Sequence, residues 1–530
     1  MNSQKISILR LRINENLRVQ KGGADPIPYI DIGNIIGDMT SRQNHAVFGR
    51  RGCGKTLLLN HVANNLPKDI KSVYINLEDF KRHSFPNVLI EILDSVFNSL
   101  ERHLTGWFGK KRRSKEIIKE IRSQLQELRT KEDSQERTIR ESSNLVSDKK
   151  DGGQLTFDLD VISGSAADSL SVTKAKSREE RYRITSNKIK ELDIRLPHIK
   201  QKIRELFELA NDINAVFIEL DDFYHLSKID QPMVMDYIHR LCKDVPLFFK
   251  VATLRHASTL YADRDGQPIG AQERHDYQSI NVDFTLGDFH RTAQKNKKIL
   301  AEFGKMADMS TTEIDALFKG EGFNRLVMAG GGVPRDFLSL FLEIIERMDT
   351  SAPDARIGKD EVRQLSHANF ERRIEELKQD SEGIEQGPLI RGIYVLRQFC
   401  ISEKKTNIFL VNESVLQQNA NIRALLYRLL DYRIIHSAAS AITHKSQSGT
   451  YQAFAIDIGC YAHMRVLDKR FTEIDLSDSD AKEKMRSAPI LDDKYFTILW
   501  KSSPTDIEHA LNAQSASLSP VEVTQTPEAT

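Results

Sequence analysis

The stretch His45 to Val62, HAVFGRRGCGKTLLLNHV, decides the fold. Ala46-Val47-Phe48 is a short apolar run that reads as a buried parallel strand. Gly49-Arg50-Arg51-Gly52-Cys53-Gly54-Lys55-Thr56 then meets the phosphate-loop pattern G-x-x-x-x-G-K-[ST] at every fixed position, and Leu57 to Asn65 continues as an apolar helix former. Gly49, Gly52 and Gly54 free the backbone to turn successive N–H groups towards one anion. The helix starting near Lys55 adds the positive end of its dipole. The alternative is a chance glycine turn before a helix, and the order strand, loop, helix argues against it. The expectation is an ATP site over Gly49 to Thr56, with Lys55 reaching the β- and γ-phosphates and the Thr56 hydroxyl binding Mg2+.

A second segment supplies what such a site needs opposite the loop. Ala215 to Phe223, AVFIELDDF, is an apolar strand ending in two carboxylates. Asp221 is placed to hold the Mg2+ shell and Asp222 to polarise the attacking water. Glu219 interrupts the apolar run, so the water-activating role stays open between Asp222 and Glu219. Asp222 is also a short acid for that task, which points to slow hydrolysis. Leu247 to Arg255 reads as the next strand, and its polar C-terminal end makes Thr253 and Arg255 candidates to sense the γ-phosphate, because ligands of open α/β sheets sit at those ends. Ile280 to Leu286 reads as a fifth strand. Arg264 and Arg274, in the segment before it, are candidates for an arginine finger towards a neighbouring subunit.

At 530 residues the chain exceeds one core, so several domains are expected. A net charge of +1 excludes global attraction to nucleic acid and leaves only local patches. Cys53, Cys242, Cys400 and Cys460 have no paired spacing, which excludes a disulfide framework or zinc motif. Cys53 lies inside the loop, where it reads as a small residue within reach of an alkylating reagent. Residues 1–25 are polar and read as flexible or lightly docked, without a signal-peptide core. No apolar run is long enough to span a bilayer, so the chain reads as cytoplasmic.

The ATPase core is expected over 26–104 and 206–286, split by a charged insertion over 105–205. Ile117, Ile118, Ile121, Leu125 and Leu128 recur at helical spacing, and Ser177 to Leu209 reads as helical again with Ile184, Ile189, Leu192, Ile194, Leu196, Ile199, Ile203 and Leu206. The insertion reads as two antiparallel helices with a mobile tip, either a solvated hairpin or an arm that touches a partner or DNA. Residues 287–350 are helical and contain Gly332-Val333-Pro334-Arg335, a glycine break before a proline-initiated helix. That geometry projects Arg335 towards the phosphates.

The order Gly49–Thr56, Asp221-Asp222, Thr253/Arg255 and Gly332–Arg335 resembles the AAA+ ATPases. Within them it is most similar to the origin-recognition/initiator clade and the STAND-type ATPases. The resemblance covers roughly 30–105, 210–350 and, more loosely, 385–465. It implies an α/β P-loop NTPase three-layer core with strand order 5-1-4-3-2, a helical lid and a C-terminal winged helix. It also implies sensor roles for Thr253 or Arg255 and for Arg335, and assembly into homo-oligomers. The long insertion departs from the compact family pattern. Relatives of this layout in bacteria are associated with mobile elements and defence against phage.

After a helical connector at 351–386, residues 387–470 run helix, strand, helix, helix, strand, polar tip, strand, which is winged-helix order. Asn421, Arg423 and Arg428 then lie on the recognition helix, and His444 and Lys445 on the wing. Winged helices also dock proteins, so double-stranded DNA and an effector protein both stand as partners. Residues 471–530 are polar, and the end lacks periodicity and reads as disordered. Function is expected as an ATP-driven conformational switch. The alternative is a nucleotide-gated scaffold with negligible turnover. A small-molecule kinase leaves the distal Gly-x-Pro-Arg unexplained.

Overall fold

A computed structural model describes residues 3–17, 27–104, 110–129, 187–210, 212–264, 266–348, 356–380, 383–461 and 471–516. Its centre is a five-stranded sheet of β1 (His45–Phe48), β2 (Ile70–Asn76), β3 (Ala215–Asp221), β4 (Leu247–Thr253) and β7 (Gln278–Asn281), in the order β2-β3-β4-β1-β7. Every pairing is parallel. A hairpin of β5 (Tyr261–Arg264) and β6 (Gln267–Gly270) stands between β4 and β7. The order matches the expected 5-1-4-3-2. Parallel strands are covered on both faces, which is why β3 is buried along its whole length. Ala46 and Phe48 face the helices Asn87–His103 and Gln231–Cys242, while Val47 faces Leu58, Leu59 and Val62 of the helix Lys55–Asn64. The register sets Phe48 opposite Thr253 and Asn281, and Asn76 opposite Asp221, so the strands' polar ends share one edge.

The fifth strand is shorter than expected. Asn281 Oδ1 accepts the Asp283 amide at 3.1 Å, turning the chain out of the sheet after β7. The insertion's described parts are two antiparallel helices, at 110–129 and 187–209. Cross-pairs run Arg113 to Glu205, Glu120 to Lys202 and Glu127 to Arg195. Their apolar faces join the core cluster of Asn87–His103, and Arg122 pairs with Asp94 at 2.8 Å, so the base of this arm belongs to the core rather than to solvent. The expected tip at 130–186 lies outside the described residues.

The two ends of the chain carry helices within the described residues, and at the first of them the docked alternative holds. Ser3–Asn16 is a helix whose Ile6, Leu9 and Ile13 are buried against the lid helices Phe289–Met306 and Pro334–Arg347. Their spacing of three and four residues is a helix face, which the surrounding polar residues obscured. After residue 470 the chain forms the helices Ala481–Met485, Asp493–Ser502 and Ile507–Ala516, with Phe496, Leu499 and Leu511 buried. Residues 517–530 lie outside the described residues.

The connector is the helix Lys359–Asp380. It leads to the helix Gly383–Arg397, β8 (Ile408–Asn412), the helices Glu413–Gln418 and Ala420–Asp431, β9 (Ile435–Thr443) and β10 (Thr450–Ile456). The three strands form an antiparallel sheet in the order β8-β10-β9. This unit is seated on the five-stranded core. Asp431 Oδ2 accepts the His256 amide at 3.0 Å, and the His256 and Tyr427 rings lie 4.4 Å apart. Among the described residues, no helix is long and apolar enough to cross a membrane.

Ile13 has no solvent exposure. Ile13→Ala should cost about 2–5 kcal/mol and lower the urea unfolding midpoint; an unchanged midpoint contradicts docking of the first helix. Burial pushes the Asp431 carboxyl up from 3.8 to about 7, against the His256 amide and the Arg428 charge. The folded state therefore holds that proton more tightly than the unfolded chain, and this group's contribution falls as pH rises through that window. Asp431→Asn should flatten the decline of the thermal midpoint between about pH 4 and 7 relative to the parent chain, a comparison that also cancels the opposite trend from His256, which burial lowers to about 4.

Candidate functional site

The edge carrying the strands' polar ends opens into a cleft of about 480 Å3, within the usual range for a small-molecule site. Residues Arg51 to Leu57 form one wall. Gly52 and Gly54 take φ values of 84° and 93°, which L side chains rarely adopt. A Cβ on Gly52 would also lie 2.7 Å from the Arg335 Cβ, so the lid closes directly onto the loop there. Gly54 is the N-cap of Lys55–Asn64, which aims that helix's free amides into the cleft. Lys55 Nζ donates to the carbonyls of Gly49 at 2.8 Å and Arg50 at 3.3 Å.

At the cleft floor Thr56 Oγ1 donates to Asp221 Oδ2 at 2.6 Å, and the Tyr74 hydroxyl donates to the same oxygen at 2.9 Å. The Asp222 amide donates to Asp221 Oδ1 at 2.9 Å. Burial and then the Asp222 charge raise the Asp221 carboxyl above its ordinary value. A buried carboxylate and a hydroxyl within hydrogen-bond reach are hard oxygen donors of the kind Mg2+ takes, so this pair fits the expected metal. Asp222 lines the cleft with a left-handed φ of 52°. Arg335, in the first turn of Pro334–Arg347, also lines the cleft beside the loop and donates its amide to Gly52 O at 3.3 Å.

Other sequence candidates lie elsewhere. Gly49 and Arg50 do not line the cleft. The Arg50 guanidinium turns away onto Asp283, at 2.6 Å from Nε and 2.8 Å from Nη2. Glu219 has no exposure and sits on β3 opposite buried Lys250 of β4, below the cleft floor. Of the two carboxylates left open, only Asp222 is in the cleft. Thr253 has no exposure and its hydroxyl pairs with Ser258, while Arg255 lies 4.1 Å over the Phe48 ring and 3.6 Å from Glu273; neither lines the cleft. Arg264 ends β5, and exposed Arg274 turns with a φ of 72°. Cys53 is 2% exposed, and burial followed by the Asp283 charge pushes its thiol up to about 12, which removes it as an alkylation target.

On the expected recognition helix Asn421 and Arg423 are exposed, but Arg428 is buried beside the Tyr432 hydroxyl at 3.4 Å. His444 is half-buried near Tyr451, and Lys445 is held by Glu483 at 3.1 Å. The β9–β10 tip is thus engaged by the chain's own later segment.

Sequence reasoning missed Tyr74, which reads as one more strand aromatic until the register brings it beside Asp221. It missed Tyr224 as well, whose ring lies 4.9 Å from the Arg51 guanidinium carbon. The larger omission is a circuit of buried charge behind the loop. Arg50 Nη1 lies 3.4 Å from His436 Nδ1, and His436 Nε2 lies 2.8 Å from Asp457. With Arg50 as donor, the imidazole carries its proton on Nε2 and gives that hydrogen bond to Asp457. Asp457 pairs with Arg373, Arg373 Nε with Asp336 at 3.1 Å, and Asp336 with Arg433 Nη1 at 2.8 Å. Arg433 closes the circuit on the Arg51 carbonyl at 3.4 Å and also pairs with Glu376. Burial raises the Asp336 carboxyl, but Arg433 and Arg373 outweigh it and hold the group below its ordinary value.

The chain matches no known family model, and no curated protein matches it. Among solved structures it is similar to the Walker-type ATPase PABY2304 of Pyrococcus abyssi, at 11% identity over 84% of this chain and 99% of that one, with a TM-score of 0.39. That likeness is too distant to carry an argument.

Asp336→Ala would leave Arg373 and Arg433 buried without their shared carboxylate. The expected cost is about 3–5 kcal/mol, read as a lower unfolding midpoint. A loss near zero would show that the circuit does not hold the lid and the C-terminal unit together.

Proposed function

We propose that this chain binds Mg-ATP in the cleft and hydrolyses it, and that the nucleotide state governs how the C-terminal unit engages a partner. One observation carries the reading: the Thr56–Asp221 oxygen pair lies at the N-terminus of the loop-bound helix, with Asp222 and Arg335 facing the same space. In this mechanism the amides from Gly52 to Thr56 hold the phosphate oxygens. Lys55 leaves the Gly49 and Arg50 carbonyls and moves its ammonium onto the β- and γ-phosphates. Thr56 and Asp221 hold Mg2+, which when bound offsets the charge of the phosphates. Tyr74 keeps the Asp221 oxygen oriented. Asp222 orients the attacking water and draws its proton, and Arg335 stabilises charge on the departing γ-phosphoryl group.

The strand order β8-β10-β9 with the helices before and between them supports a winged-helix reading of residues 383–456. The buried state of Arg428 and the engaged tip favour its use as a protein-docking module over a reader of base edges. A second reading, a nucleotide-gated scaffold with negligible turnover, is favoured by the buried circuit that ties Arg50 and Arg51 to the C-terminal unit.

ATP hydrolysis by the purified chain, with and without duplex DNA, tests both. Lys55→Ala should abolish ATP binding. Asp222→Asn should retain binding while turnover falls by about 10²–10⁴-fold. Binding without turnover in the parent chain selects the scaffold. Unchanged turnover in Asp222→Asn removes Asp222 from the mechanism.

A further inference from the structure

A second cavity, of about 570 Å3, lies away from the nucleotide cleft. It is a groove between three helices: Pro388 and Leu389 come from Gly383–Arg397, Ile422 and Leu425 from Ala420–Asp431, and Phe496 and Trp500 from Asp493–Ser502. The Phe496 and Trp500 rings stack at 5.6 Å, and the Arg391 guanidinium lies 5.4 Å from the centre of the Trp500 ring. The charged residues lining the groove are Lys228, Arg428 and Lys501; among the described residues no Asp or Glu lines it. In a chain of net charge +1 this is a local excess. Ile229 and Ile498, each next in sequence to a lining residue, are 66% and 60% exposed.

We propose that this groove docks an acidic amphipathic helix of a partner protein, with apolar anchors against Trp500 and Leu425 and carboxylates towards Lys228 and Lys501. The argument is charge complementarity around an apolar floor. An amphipathic helix laid between helices presents anchors at i, i+3, i+4 and i+7, and a Trp–Arg pair is the side-chain chemistry that dominates such contacts. Duplex DNA fits poorly. The face of Ala420–Asp431 that carries Asn421 and Arg428 looks into an apolar slot walled by Trp500, where a phosphate backbone would lose its water without gaining enough cations. Lys228 follows β3 and its acidic end, whereas the other lining residues belong to the C-terminal part, so Lys228 joins the groove only while that part stays seated on the core. The proposal does not depend on hydrolysis in the cleft.

The test uses the full chain and a fluorescein-labelled peptide with leucines at i, i+3, i+4 and i+7 and glutamates elsewhere, beside a twin carrying lysine for every glutamate. Fluorescence anisotropy should show saturable binding of the acidic peptide, tighter than its twin by about tenfold or more. The double variant Lys228→Glu with Lys501→Glu alters only exposed side chains and should invert that preference. Trp500→Ala should weaken the acidic peptide by about tenfold or more. Unlabelled duplex DNA should not displace it. No binding of the acidic peptide, equal binding of the twins, an unchanged preference in the double variant, or displacement by duplex DNA each overturns the proposal.

Discussion

The carboxylate of Asp336 is the constraint on which the rest of the molecule depends. It is buried one residue after Arg335 and accepts from two buried arginines, Arg373 of the connector helix and Arg433 at the entry to β9. A buried charge that loses a partner is costly, so separating these cations from Asp336 is opposed even though Arg373 keeps Asp457 and Arg433 keeps Glu376. The lid's first turn, the connector and the C-terminal unit are therefore fixed together, and the phosphate loop with them. The glycine turn before the lid helix is shaped for this packing. Gly331 has a φ of 60°, and a Cβ there would fall 2.4 Å from the His436 ring.

The phosphate loop consequently has two faces. One presents amides, Lys55 and Thr56 to the cleft. The other presents the Arg50 side chain and the Arg51 carbonyl to His436 and Arg433. The proposed function requires that a shift of the loop on one face is felt at the other, through the buried charges between them. In the proposed function this is the link from nucleotide to partner: Lys55 abandons the carbonyls of Gly49 and Arg50 when phosphate arrives, and Arg50 is also the residue that reaches the C-terminal unit.

What was legible in the sequence was local. The loop at Gly49–Thr56, the strand ending in Asp221-Asp222 and the helix starting at Pro334 each declare themselves within a few residues, and each lies where expected. Depth and long-range pairing were not legible. Glu219 and Asp221 share one face of β3, and only the position of the cleft shows that one lines it and the other lies beneath. Lys250 looks like an ordinary surface lysine inside a strand, yet it has no exposure and donates to the carbonyls of Ser41 and Gln43, with burial lowering its pKa to about 7. Arg373 and Arg433 sit 60 residues apart and find their partners across the fold. Periodicity carries no record of such contacts. The first helix was hidden for another reason: its three core residues are diluted by charges that face solvent.

The most direct measurement is amide hydrogen exchange across residues 433–457, with and without Mg-ATP, in the parent chain and in Lys55→Ala. If the loop and the C-terminal unit form one electrostatic body, Mg-ATP changes exchange around Ile434, His436 and Asp457 in the parent chain and leaves Lys55→Ala unaltered. A change confined to the cleft residues, with 433–457 exchanging identically in both conditions, would contradict the account.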